Sequence, residues 1–203
     1  MDRVFTPGEQ RHIAESSTPD FVLWSLWAAK ETGYKAISKL YPAVSSVPRK
    51  YETELFSTAG PVPGTGVVHT PGGPVAVCFF INSDYIHCIG TTPEKDTDSI
   101  VWDACKVFHR RFPPGFESDL VRRMAGEKIA NYLKKEPGTI EIVRLKGHRG
   151  LGPPVVYAGK ERTAIDISIS HDGRFIAYAF QDTGHPAGVF DIIYPDLSCY
   201  DCR

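Results

Sequence analysis

Apolar residues recur every three or four positions between residues 19 and 40, a spacing that predicts one long amphipathic helix. Ser17 or Thr18 can cap its amino end, and Pro19 suits the first helical position. The Tyr-Pro pair at 41–42 ends the helix, because a proline disfavours helical geometry in the residue before it. The pattern therefore predicts one uninterrupted helix of about six turns.

A carboxylate and an ammonium group interrupt the aromatic face of this helix. On a 3.6-residue period, Glu31 and Lys35 fall on the face that carries the aromatic residues Trp24, Trp27 and Tyr34. One explanation is a surface ion pair, worth about 0.2–0.5 kcal/mol at this spacing. The other is a metal ion or a phosphate that approaches this face and offsets the cost of desolvating Glu31. The pattern alone leaves both explanations open.

Short runs rich in β-branched and aromatic residues alternate with glycine and proline turns over much of the remaining chain, which predicts strands. The predicted strands cover residues 51–56, 73–81, 84–91, 138–145, 153–159, 163–170 and 174–181. The "NSD" segment at 82–84 and the Asp-Gly pair of "HDGR" at 171–174 are typical of hairpin turns. Two further helices are predicted at 97–112 and 115–135, separated by two prolines.

The order of the predicted elements repeats, since a helix followed by strands occurs twice. We therefore expect an α+β fold with two pseudo-duplicated lobes, each a long helix packed on an antiparallel sheet. Residues 1–97 would form the first lobe, and residues 98–181 the second. Residues 182–203 are acidic and punctuated by proline, which predicts an extended carboxyl-terminal tail.

The composition is typical of a globular protein, with 203 residues of which 42% are hydrophobic and 23% charged. No apolar run reaches the roughly 20 residues that a membrane span requires, so no membrane partner is expected. The first ten residues lack the apolar segment of a signal peptide, so we expect a cytoplasmic protein.

Charge is unevenly distributed along the chain. Residues 106–149 contain eleven Lys and Arg against five Asp and Glu, which favours either an anionic partner or a solvated helix face. Nucleic acid is not expected, because no aromatic residues are interleaved with basic ones on a strand. The five cysteines are scattered and odd in number, which argues against a secreted disulfide framework. Cys199 and Cys202 have the C-x-x-C spacing of zinc or redox sites, but no second C-x-x-C or H-x-H pair lies nearby.

The predicted strand at 163–170 has a core face and a polar face. Isoleucines at 165, 167 and 169 alternate with Asp166, Ser168 and Ser170. His171 follows directly, beside the predicted turn. A histidine in such a position, taken alone, is usually structural or simply exposed.

Three segments together resemble the 4′-phosphopantetheinyl transferase superfamily. "WAAKETGYKA" (27–36) is similar to its W/F-x-x-K-E-x-x-x-K helix, and "SISHDGRFIAYAF" (168–180) to its S-I-S-H strand-turn-strand. "RVFTPGEQRHI" (3–13) resembles the segment before the helix in the holo-acyl-carrier-protein synthase branch. The resemblance covers residues 3–39 and 139–181 and implies the α+β fold of that superfamily.

The resemblance implies Mg²⁺-dependent transfer of the 4′-phosphopantetheine group from coenzyme A to a serine of an acyl or peptidyl carrier protein. It assigns Glu31 to Mg²⁺, and Lys35, assisted by Lys30, to the phosphates of coenzyme A. It also assigns His171, with Ser170 beside it, to a coenzyme A phosphate. These residue types suit the reaction, because a metal ion and cationic donors offset the charge that repels a nucleophile from a diphosphate. Glu31 or a metal-bound water could take the serine proton.

The superfamily also uses an aspartate on a G-x-D strand that precedes the segment matched here by residues 3–13. This sequence starts at Met1, directly before that segment. Asp166 is one candidate to complete the metal site, and a partner subunit is another source. A third expectation is a catalytically degenerate relative that binds coenzyme A or a carrier protein without transfer. The oligomeric state is open between a monomer with a pseudo-two-fold axis and a small homo-oligomer.

Overall fold

A computed structural model describes residues 2–57, 63–81, 84–92, 97–107, 113, 115–147, 150–172, 175–184 and 191–193 of the chain. The helices in this part are α1 (Pro7–Glu15), α2 (Pro19–Leu40) and α3 (Phe116–Leu133), and 3-10 turns lie at Pro48–Lys50 and Thr97–Ser99. Helix α2 has the bounds predicted from the sequence. No helix within the described ranges is long and apolar enough to cross a membrane.

The strands of the described residues form two five-stranded sheets whose neighbouring strands are antiparallel. Sheet A has the spatial order β1 (Glu52–Ser57), β2 (Pro63–Thr70), β3 (Gly73–Ile81), β4 (Ile86–Thr91) and β10 (Asp191–Ile193). Sheet B has the spatial order β5 (Val101–Lys106), β9 (Phe175–Asp182), β8 (Glu161–Asp172), β7 (Gly150–Ala158) and β6 (Ile140–Gly147). The fold is therefore mixed α+β, as predicted.

The fifth strand of each sheet comes from the opposite half of the chain. Strand β5 follows the meander β1–β4 along the chain but pairs with β9 of sheet B. Strand β10 follows the meander β6–β9 but pairs with β4 of sheet A. The order of helix, four-strand meander and fifth strand thus occurs twice, with the two fifth strands exchanged. An internal duplication and the lobe bounds given above stay predictions.

Helix α2 lies close against sheet A because a glycine on each element leaves room for a β-branched side chain of the other. A Cβ on Gly33 would lie 2.7 Å from Val68 Cγ1 of β2, and one on Gly90 of β4 would lie 2.6 Å from Thr32 Cγ2. The Thr32 hydroxyl also donates a hydrogen bond of 3.4 Å to the Cys88 carbonyl oxygen on β4. These contacts fix the rotation of α2 on the sheet and therefore the direction of its outward face.

The prediction of a helix at 97–112 is wrong in its described part, where Val101–Lys106 forms strand β5. Both faces of this strand are covered, because Cys105 packs in the cluster under α3 while Ala104 packs between the two sheets. An apolar run that is buried on both sides has no alternation of polar residues, so its pattern does not distinguish a strand from a buried helix.

The other predicted strands and the helix at 115–135 are confirmed within a few residues of their predicted bounds. Helix α1 and strand β2 were not predicted. The two predicted hairpin turns lie partly outside the described residues, which omit 82–83 and 173–174. Cys199 and Cys202 also lie outside the described residues. Within the predicted tail, residues 191–193 form strand β10.

Candidate functional site

The middle of α2 carries Glu31 and Lys35 one turn apart, and both side chains are half-buried. Burial raises the pKa of the Glu31 carboxyl above its ordinary value, and the charge of Lys35 lowers that pKa in part. The carboxylate is therefore partly removed from water, and the ammonium of Lys35 offsets part of its charge. A carboxylate in such surroundings is stabilised by a further cation.

The aromatic stripe around Glu31 lies at the border of the core rather than inside it. Trp24 is 46% exposed, and Trp27 and Tyr34 are half-buried. The helical wheel predicts a carboxylate among aromatic side chains, and the structure shows it at the rim of the packed face of α2. Ligands can thus approach Glu31 from the solvent side without opening the core.

Lys30 points the other way and lies in the interior, where its side chain is 1% exposed. Its ammonium lies 2.7 Å from Glu9 Oε1 and donates a 2.5 Å hydrogen bond to the Tyr51 carbonyl oxygen. The ring centroid of Phe5 lies 5.9 Å from the same nitrogen. Desolvation lowers the pKa of Lys30, while Glu9 acts to raise it. The ammonium is therefore engaged by the fold on the side away from Glu31.

Glu9 is the centre of this buried network. Its Oε2 accepts a 2.7 Å hydrogen bond from the Thr6 amide, which completes a capping box at the start of α1. Its Oε1 accepts a 3.0 Å hydrogen bond from the Thr53 amide of β1 as well as the Lys30 contact. One carboxylate thus ties together α1, α2 and the first strand of sheet A.

Asp166 lies in a buried ion pair that spans the two halves of the molecule. Lys39, near the carboxyl end of α2, has its Nζ 2.8 Å from Asp166 Oδ1 on β8. The same nitrogen donates a 3.1 Å hydrogen bond to the Ile167 carbonyl oxygen. The side chains of the pair are only 7% and 8% exposed. Oδ1 of the predicted metal ligand is thus engaged by a lysine of the helix that carries Glu31.

Strand β8 places Ser170 and His171 on opposite faces of sheet B. Ser170 pairs with Ala177 of β9, which packs between the two sheets. His171 pairs with Ile176, which packs in the cluster under α3. Residues directly opposite one another on paired strands share a face, so Ser170 lies on the side of sheet A and His171 on the side of α3. His171 is exposed at this end of the strand.

The structure thus groups Glu31 with Lys35, and Asp166 with Lys39, while His171 belongs to another face. Among the residues that the structure describes, no three His, Cys, Asp or Glu side chains form a group that could hold a metal ion. Mg²⁺ is commonly held by one or two carboxylates together with substrate phosphate and water. One half-buried carboxylate such as Glu31 is therefore a sufficient protein ligand for Mg²⁺ when substrate phosphate and water supply the others.

A pocket of about 620 Å³ opens beyond the carboxyl end of α2. It is lined by Tyr41, Ala43, Val44, Ser45, Lys50, Pro71 and Gly72. Its lining includes the ammonium-bearing Lys50 and the half-exposed ring of Tyr41. The pocket therefore presents one ammonium group beside an aromatic ring.

Sequence reasoning missed two residues that organise this region, Glu9 and Lys39. The T-x-x-E spacing of Thr6 and Glu9 is the signature of a capping box and could have located the amino end of α1. No local signal could have found Lys39, because its partner lies 127 positions away along the chain.

Comparison with known proteins gives a family match for the amino-terminal part of the chain. Residues 1–83 match the family model described as 4′-phosphopantetheinyl transferase superfamily. The match includes α1, α2 and the first three strands, and with them Glu9, Lys30, Glu31, Lys35 and Lys39. Comparisons with the curated proteins and with the solved structures give no significant match. The resemblance noted in the sequence is thus confirmed over residues 1–83.

Proposed function

We propose that this chain transfers 4′-phosphopantetheine from coenzyme A to a serine of an acyl or peptidyl carrier protein, because residues 1–83 match the family model described as 4′-phosphopantetheinyl transferase superfamily. The observation that supports the proposal is the half-buried Glu31 beside Lys35 on α2, within the stretch that the family model matches. A half-buried carboxylate whose charge Lys35 offsets only in part suits a further cation bound to an anionic substrate.

Lys35 would bind the diphosphate of coenzyme A. Its ammonium lies close enough to Glu31 to lower the pKa of that carboxyl, so both groups act on the same small region. A lysine placed there neutralises phosphate charge and lets a nucleophile approach the phosphorus atom. Lys50, in the pocket beyond the end of α2, is a second cation for a phosphate of the same substrate.

Glu31 would hold Mg²⁺, which supplies further positive charge to the diphosphate when bound. The carrier serine Oγ would attack the diphosphate phosphorus next to the pantetheine arm. The bond from that phosphorus to the bridging oxygen would break, and 3′,5′-ADP would leave with the electron pair. The serine proton would pass to Glu31 or to a water that Glu31 orients. Lys35 would stabilise the negative charge that develops on the leaving group.

The assignment of a phosphate contact to Lys30 changes in this proposal. Its ammonium is buried against Glu9 and the Tyr51 carbonyl oxygen, so we assign it to the fold. Ser170 stays a candidate for a coenzyme A contact, because its face of β8 is turned toward sheet A. His171 would reach a phosphate only if coenzyme A extends around the end of β8.

Incubation of the purified chain with coenzyme A, Mg²⁺ and an apo carrier protein tests the proposal. We expect the carrier protein to gain the mass of one phosphopantetheine, and the gain to disappear when Mg²⁺ is chelated. Glu31→Gln should slow the transfer by about 100-fold or more, because it removes charge stabilisation at the reacting phosphate. Asp20→Asn, which alters an exposed carboxylate in the first turn of the same helix, should transfer at the wild-type rate.

No mass gain with any of several acyl and peptidyl carrier proteins would overturn the transferase proposal. Calorimetry with coenzyme A would then show whether the chain binds the donor without transferring it. Full activity of Glu31→Gln in an active preparation would overturn the role given to Glu31 while leaving transfer itself intact.

A further inference from the structure

The ion pair between Lys39 and Asp166 joins the helix of the candidate site to the opposite sheet. We infer that these two residues are positioning residues, which hold α2 with Glu31 and Lys35 in register with the Ser170 face of β8. The role rests on the transfer proposed above. It also gives Asp166 a function other than metal binding.

Lys39 contacts both a side chain and the backbone of β8. Lys39 Nζ lies 2.8 Å from Asp166 Oδ1 and donates a 3.1 Å hydrogen bond to the Ile167 carbonyl oxygen. One nitrogen thus binds two successive residues of β8, which fixes α2 both across this strand and along it. Ile167 is fully buried in the cluster under α3, so the point to which Lys39 is attached is itself firmly packed.

The pair lies behind the site rather than in it. With a rise of about 1.5 Å per helical residue, Lys39 lies about 6 Å beyond Lys35 and about 12 Å beyond Glu31 along α2. At about 3.3 Å per strand residue, Asp166 lies about 13 Å from Ser170 along β8, on the same face. Each partner is therefore linked to candidate site residues through one rigid element.

The other sheet-to-sheet packing that the structure describes is largely apolar and defines register less sharply. Ile89 and Phe80 of sheet A pack with Ala104 and Ala177 of sheet B. Apolar contacts favour burial but have little directional preference. A buried ion pair, by contrast, contributes little net stability after desolvation but strongly disfavours arrangements in which either charge is left alone.

The double variant Lys39→Met/Asp166→Leu tests the inference, because it removes both buried charges while Leu keeps the branched shape of Asp and Met nearly the length of Lys. We expect its urea midpoint to stay near that of the wild type, since apolar replacements of buried pairs are often neutral or stabilising. We expect kcat/KM for transfer to fall by about 10- to 100-fold, because small misplacements of bound groups have effects of this size. Lys39→Arg, which keeps the charge and the reach, should recover part of the rate.

The Mg²⁺ concentration for half-maximal activity separates positioning from metal binding. We expect the double variant to require the same Mg²⁺ concentration as the wild type, whereas loss of a metal ligand would raise that requirement. The matched control is Lys106→Met/Asp84→Asn, which removes a looser pair between the sheets with 3.9 Å between Nζ and Oδ2. Its transfer rate should stay at the wild-type level.

The outcomes are distinct. A fully active double variant, or one whose only defect is a raised Mg²⁺ requirement, would overturn the positioning role and leave the proposed transfer standing. A wild-type chain that transfers nothing would overturn the proposed function and the positioning role together. A folded double variant with a lowered kcat and an unchanged Mg²⁺ requirement would support the inference.

Discussion

Lys30 Nζ lies 2.7 Å from Glu9 Oε1, and the two side chains are 1% and 4% exposed. The pair connects α1 to α2 in the interior, next to a second hydrogen bond from Lys30 to the Tyr51 carbonyl oxygen. The lysine and glutamate of the "KE" dipeptide at 30–31 therefore point to different environments. The lysine holds the amino-terminal segment in place, while Glu31 faces the rim of the helix.

Removing one member of the Glu9–Lys30 pair should destabilise the protein strongly. We expect Lys30→Met to lower the free energy of unfolding by about 3–5 kcal/mol, because Glu9 is left as a buried charge. The double variant Glu9→Gln/Lys30→Met should regain part of that loss, because it removes both charges but leaves a Gln whose single amide oxygen can accept from only one of the Thr6 and Thr53 amides. Urea denaturation followed by circular dichroism measures both values.

The same double variant tests whether Lys30 contacts the substrate. Since its ammonium is engaged inside the fold, we expect the KM for coenzyme A of the folded double variant to equal that of the wild type. A KM raised by tenfold or more in the folded double variant would show that Lys30 reaches the phosphates.

The close contact of α2 with sheet A should be sensitive to one added methyl group. Gly33→Ala would place a Cβ 2.7 Å from Val68 Cγ1, and we expect it to lower stability by about 1–3 kcal/mol. Gly126→Ala on α3 is the matched control, because its Cβ would be 3.7 Å from the nearest atom, the Ile140 carbonyl oxygen. This second change should be neutral or stabilise the protein by up to about 1 kcal/mol. Equal effects of the two substitutions would contradict the close packing.

His87 should make the protein sensitive to mild acid. The ring is fully buried and stacks on Trp102 at 4.3 Å between centroids, and burial lowers the pKa of His87 well below its usual value. As the pH falls below about 6.5, the unfolded chain takes up a proton at this site while the folded chain does not, so stability falls. The contribution is at most about 1.4 kcal/mol per pH unit. Unfolding free energies at pH 7.5 and 5.5 should differ less in His87→Phe than in the wild type.

The pH dependence of transfer should reflect the raised pKa of Glu31. Transfer needs the ionised carboxylate, so kcat/KM should fall on the acid side at a pH above the ordinary carboxyl range. Lys35 lowers the pKa of Glu31, so Lys35→Met should move this acid limb to higher pH. A bound cation also favours the ionised form, so a higher Mg²⁺ concentration should move the limb to lower pH. If neither Lys35→Met nor a higher Mg²⁺ concentration moves the acid limb, the titrating group is not Glu31.

Elements with a single buried face were predictable from the sequence. Helix α2 combines a clear period with Pro19 at its start and a Tyr-Pro pair after its end, and its bounds are confirmed. Strand β5 was mistaken for a helix because Ala104 and Cys105 are buried on opposite faces. A local sequence pattern identifies a strand best when one face is buried and the other is polar. Strand β5 is instead packed on both faces, against the cluster under α3 and against sheet A.

The candidate site was predictable in its local part and not in its long-range part. The spacing of Glu31 and Lys35 locates both on one helix face, which the structure shows. The ion pairs of Lys30 and Lys39 depend on Glu9 and Asp166, which lie 21 and 127 positions away. Such partners are chosen by the packing of whole elements, so no window of the sequence contains them.

The exchange of fifth strands has a consequence for how the chain is made. All six residues of β4 are buried, and its free side is covered only when residues 191–193 pair with it as β10. Until those residues leave the ribosome, the first half of the nascent chain presents an apolar strand with an open edge, the kind of surface that invites aggregation. Synthesis must therefore pass residue 193 before the first sheet is complete.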